Sequence, residues 1–126
     1  MAIWAADCAG HVLSYFEGPY PGDDRPRKAI EAARLWANGR LPMVEARKAA
    51  FASHTAAREA NNASAKAAAR AAGHAAATAH AANHARHAAA YAVKAAIAAE
   101  AESDWQVRHL PKHLRAVAFP SSKHEP

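Results

Sequence analysis

Nine histidines in 126 residues are the side chains here best suited to chemistry. Five of them, His54, His74, His80, His84 and His87, sit inside one alanine-rich run. An imidazole ligates a metal or moves a proton near neutral pH. His80, His84 and His87 are spaced i, i+4, i+7, which on an unbroken helix sets three imidazoles on one face, a ligand type that zinc accepts. No carboxylate or thiolate stands nearby as a fourth ligand, and Asn83 is a weak point where a tight turn is expected near residues 82–84. Such a turn destroys the spacing, so no metal site and no cofactor is expected. The favoured role for these histidines is closing helix ends and hydrogen-bonding across narrow gaps between helices. His54 and His74, central in successive helices, are expected to face each other in a core polar network with His80 and Tyr91.

Cys8 and His11, three residues apart, have the residue types of a nucleophile and its base. Cys8 lies on an apolar helical face with Trp4 and Val12, which marks a buried structural thiol instead. Asp23, Asp24, Arg25 and Arg27 form a charged knot at a helix start, where acids cap free amides and offset the helix dipole. Lys48, Arg58, Lys66 and Arg70 form a basic stripe suited to phosphates. No aromatic residue interleaves there for base stacking, so a solvated face is favoured and nucleic-acid binding is the weaker alternative. The chain lacks a glycine-rich phosphate loop, a CxxC pair, HExxH and GxSxG. An enzyme is not expected.

Between Ala46 and Ala101, 30 of 56 residues are alanine. Alanine has the highest helix propensity but buries little area. The run is therefore predicted helical, with helices packed backbone-close. A first helix over residues 3–17 carries Trp4, Cys8, Val12 and Tyr15 on one face, and Gly18 to Gly22 end it. Asp24 caps a second helix, Pro26 to Asn38, with Ile30, Ala33 and Trp36 or Ala37 inward and Gly39 as its C-terminal cap. A third spans about 42–60, with Val44 and Phe51 seven residues apart on its apolar face. Asn61 to Ser64 is a turn holding the next N-cap. A fourth helix spans about 64–81 and a fifth about 85–101. Ser103 and Gln106 fit a capping box before a last short helix restarted at Pro111. The fold expected is all-α: a compact bundle of five or six antiparallel helices with an alanine-dense centre, residues 1–119 as one domain and 120–126 as a loose tail.

The formal charge is +5, with acids interleaved among the bases. One cysteine excludes an internal disulfide. Asp7 interrupts the only apolar stretch near the start, so no signal peptide is expected. No run approaches the roughly 18 apolar residues of a membrane span. A cytoplasmic protein is expected, and shared surface in a homodimer would supplement its small-residue core.

Several stretches carry a resemblance: Trp4 to Ala9, Asp24 to Ile30, Ala72 to His80, His87 to Ala92, Asp104 to Gln106 and Leu110 to Arg115. In this order, over about residues 3–117, they resemble a family of small bacterial immunity proteins assigned to polymorphic toxin systems. The matching positions are Asp24, Arg25, Pro26, His74, His80, Tyr91, Trp105 and Gln106. The resemblance implies a non-enzymatic protein that binds and neutralises a cognate toxin. Its partner-contact set is expected among Arg25, Arg27, Asp24, Trp105 and Gln106. Arg25 and Arg27 have the reach for contact, whereas Asp24 and Trp105 suit capping the second helix and sealing the bundle.

Overall fold

The computed structural model describes residues 1–96 and is all-helical over that span. Its elements are α1 (Ala2–Val12), a single turn α2 (Ser14–Glu17), α3 (Arg25–Ala37), α4 (Met43–Glu59), α5 (Ala63–Ala77) and α6 (His84–Ala95). The expected segment beyond residue 96, with Trp105, Gln106, the last helix and the tail, lies outside the described residues.

α5 is the central element and touches every other helix. Ala65, Ala67, Ala68, Ala69, Ala71, Ala72, Gly73, Ala75, Ala76 and Ala77 are all buried. A helix that is apolar nearly all round must be covered on all sides, and one made of methyl groups lets its neighbours approach closely. Large side chains come from the start of the chain: Trp4, Val12, Leu13 and Phe16 join the same core as the α5 alanines. A fully buried large side chain contributes roughly 1.5–3 kcal/mol, against about 0.8 for one methyl-sized group.

The helix ends follow local chemistry. Gly39, at φ +72°, closes α3. Its N–H donates to the Trp36 carbonyl at 3.0 Å, and the Arg40 N–H donates to Leu35 at 2.8 Å. This is the paired bonding of a Schellman cap, which needs a left-handed residue. Asn62 caps α5, its Oδ1 accepting from the Ala65 N–H at 2.7 Å.

Four expectations are corrected. Asp24 occupies the N-cap position of α3 but makes no side-chain cap bond. Its backbone, at φ −97° and ψ 6°, lies outside the extended region from which a cap side chain reaches forward. Asp23 instead accepts from the Arg25 N–H at 3.1 Å, while Asp24 pairs with Lys28. Val44 and Phe51 face outward, 54% and 56% exposed. α4 turns Ala46, Ala50, Ser53 and Ala57 inward because only small residues fit against α5. The first helix breaks at Leu13. α5 ends at Ala77, so the turn to α6 runs through residues 78–83 rather than 82–84. α6 ends at Ala95, and residues 97–101 of the expected helix lie outside the described residues.

Candidate functional site

Histidines converge where α4, α5 and α6 meet. His74 on α5 is the hub. Its ring meets His54 of α4 edge-on, with centroids 4.8 Å apart, and stacks on Tyr91 of α6 at 5.2 Å with planes 9° apart. His84 also stacks on it, at 5.0 Å, and His87 lies at 5.2 Å. The break at Thr78 decides this pairing. It releases His80 to the exposed turn, where its ring lies 5.4 Å from that of His84, and starts α6 so that His84 and His87 look back at His74. Of the expected network, His54, His74 and Tyr91 are therefore in contact, while His80 lies outside that group.

The rings meet mostly by faces and edges, so few nitrogens point at a common centre. Among the described residues, no group of three His, Cys, Asp or Glu side chains is arranged to hold a metal ion. One pair of nitrogens does meet: His74 Nδ1 and His84 Nδ1 are 2.8 Å apart. One must donate and the other accept, so at least one ring is neutral and the two Nδ1 atoms differ in protonation.

Burial supplies the same pressure. It lowers the pKa of His54 to about 4, with help from the charge of Arg70 and smaller contributions from His84 and Arg58. It lowers that of His74 to about 3, aided by His54, His84, His87 and Arg70. His84 is lowered by burial and then by His80 and His87. His54 and His74 are therefore neutral at pH 7. His54 Nδ1 is buried with no hydrogen-bond partner among the described residues, which costs about 1–3 kcal/mol.

Two features that hold the cluster have no sequence signal beyond a small residue in an alanine run. A Cβ on Gly73 would lie 2.7–2.9 Å from three atoms of the His54 ring, so the absence of a side chain there creates the seat for this imidazole. Ser53 Oγ, fully buried, donates to the Ala69 carbonyl at 2.7 Å and fixes α4 on α5.

The charged knot is a clasp. Arg25 makes a two-pronged contact with Asp23, at 2.9 and 2.6 Å, and reaches Glu59 at the end of α4 at 2.7 Å. Its hydrogen bonds hold the Asp23 carboxyl below its ordinary range. Arg27 grips Glu17 at 2.8 and 2.6 Å, and Arg34 reaches Asp7 at 2.8 Å. Each guanidinium of α3 thus ties that helix to another part of the chain. The proposed contact residues Arg25 and Arg27 are engaged internally, with the Arg27 side chain still half exposed. Asp24 sits on the exposed rim of this clasp, paired to Lys28 at 3.3 Å. The basic stripe does not run as a line: Lys48 pairs with Glu45 and Arg58 donates to Thr55, while Lys66 and Arg70 line a separate hollow. Cys8 is fully buried and His11 exposed, so a substrate has no route to the thiol.

The outward face of α4 carries Met43, Val44, Arg47 and Phe51, with the Arg47 guanidinium 5.3 Å from the centre of the Phe51 ring. The chain belongs to the Imm-5 like putative immunity protein family, whose pattern matches residues 1–113. No curated relative and no solved structure matches the chain at a significant level.

Proposed function

We propose that this protein is a non-enzymatic immunity protein that binds a protein toxin and neutralises it by occlusion. Family membership supplies the partner class. The observation that carries the reading is the exposed face of α4. Met43, Val44 and Phe51 are roughly half exposed and continuous on one side of the helix, with Arg47 laid over the Phe51 ring. Exposed apolar clusters mark interaction sites, and aromatic and arginine side chains dominate binding hot spots. The face sits on a 17-residue helix already fixed by α5, so binding needs little reorganisation. No described helix is long and apolar enough to cross a membrane.

The test begins with co-purification from the native bacterium and identification of the captured protein. That protein is then expressed with and without this chain. The reading expects it to arrest growth alone and to be harmless with the immunity protein present. Phe51→Ala should fold normally and lose protection, with binding weakened by roughly tenfold or more. A captured protein that is harmless alone, or full protection by Phe51→Ala, contradicts the reading.

A further inference from the structure

From Ala60 to Ala99 the sequence contains no aspartate or glutamate, yet Lys66, Arg70, Arg86 and Lys94 fall within it. The α5–α6 hairpin therefore carries cations with no carboxylate of its own. Three of these cations gather at one place. Lys66 and Arg70 of α5 and Lys94 of α6 line an open hollow of about 320 Å³ whose remaining walls are Ala63, Ala67 and the Tyr91 ring. The Lys94 ammonium lies 5.0 Å from the centre of that ring. Tyr91 is fixed from behind by its stack on His74, so the wall is rigid.

We infer that this hollow is the receiving site for an acidic segment of the partner protein, its carboxylates held by Lys66, Arg70 and Lys94 and its aliphatic stems lying against Ala63, Ala67 and Tyr91. The inference rests on the reading that the chain binds a protein. Charge complementarity selects the occupant: like-signed groups with no carboxylate partner among the described residues favour a partner of opposite sign and speed its approach. An acidic protein segment fits better than nucleic acid. A phosphate backbone demands a continuous basic track, and the cations that would extend one, Lys48 and Arg58, are engaged with Glu45 and Thr55. The hollow is also compact and part apolar, which suits a few side chains rather than a strand.

The experiment uses the full chain, with an acetylated hexaglutamate peptide as the probe and amide chemical shifts as the readout at low ionic strength. The peptide should move the resonances of Lys66, Arg70, Tyr91 and Lys94 saturably. A Lys66→Gln, Arg70→Gln, Lys94→Gln variant should bind it roughly tenfold more weakly, about 1.4 kcal/mol, whereas Arg47→Gln should not change it. Equal binding by the triple variant, or shifts located elsewhere, overturns the inference. So does tighter binding of a short DNA duplex at the same resonances. Stronger peptide binding by a Glu100→Gln, Glu102→Gln, Asp104→Asn variant also overturns it, because the hollow would then belong to the chain's own acidic segment. Loss of toxin protection with peptide binding intact counts against the immunity reading alone. Protection with no peptide binding counts against the hollow alone.

Discussion

The two halves of the described chain carry their charges in opposite ways. Residues 1–59 hold seven carboxylates and eight lysine or arginine side chains. Arg25, Arg27 and Arg34 of α3 use theirs to clasp Asp23, Glu59, Glu17 and Asp7. The α5–α6 hairpin has four cations and four histidines and no carboxylate. Its interior is alanine and the neutral His74 imidazole, and its cations face outward. Ion pairs across elements thus position α3, where apolar side chains are larger and sparser. Methyl packing positions α5, where helices lie too close for charged side chains between them. Charge spent inside the fold is unavailable to a partner, and charge with no carboxylate partner among the described residues is available to one.

The largest expected effect breaks the two regions apart by pH. The pKa values of His54 and His74 are depressed in the folded protein relative to about 6.5 in the unfolded chain. The unfolded chain therefore binds more protons as pH falls below 6.5, and stability drops progressively until the folded values, near 4 and 3, are reached. Between pH 7 and pH 5 the two sites together should cost about 2–3 kcal/mol after allowance for their partial exposure. Asp23 acts in a lower window. Its carboxyl is depressed by Arg25, so its contribution is present above the ordinary carboxylate range and is lost only as pH falls through its lower folded value. Urea unfolding at pH 7 and pH 5 checks the difference. Equal stability at both values would mean the imidazoles are not buried neutral.

A second prediction sharpens the packing side. Gly73→Ala should destabilise the protein by up to about 2 kcal/mol. Crowding of the His54 ring costs about 1–3 kcal/mol, and alanine's better helix propensity returns about 1. In a His54→Ala background the sign should reverse, with Gly73→Ala stabilising by up to about 1 kcal/mol. A double-mutant cycle by denaturant unfolding measures this. A stabilising Gly73→Ala in the parent protein would contradict the seat assigned to His54.

Much of this organisation was legible in the sequence, and the failures share a cause. Gly39 announced its cap, and the turn from Asn61 to Ser64 announced the N-cap that Asn62 supplies, because the required backbone shape and side-chain acceptor are local properties. The all-helical class followed from alanine propensity. Val44 and Phe51 misled because large apolar residues ordinarily mark the buried face. Beside an alanine helix the fitting face is the small one, and that depends on the neighbour. The histidine partners were only half visible. His54 and His74 match in register, but the contact of His74 with His84 depends on the chain breaking at Thr78, several residues before Asn83. Nothing between Thr78 and Asn83 breaks a helix as strongly as glycine or proline would. The hollow was hidden for a similar reason: Lys66 and Arg70 read as part of a stripe with Lys48 and Arg58 until Tyr91 and Lys94 arrived from α6.

The most direct test of this division of charge is urea unfolding at low ionic strength, pH 7, of Arg25→Ala beside the Lys66→Gln, Arg70→Gln, Lys94→Gln variant. Arg25→Ala removes the contacts to both Asp23 and Glu59 and should lose about 1 kcal/mol, the upper range for partly exposed pairs in a network. The triple variant removes three cations with no carboxylate partner among the described residues and should be as stable as the parent or more so. A triple variant destabilised as much as Arg25→Ala, or an Arg25→Ala protein as stable as the parent, would contradict the account.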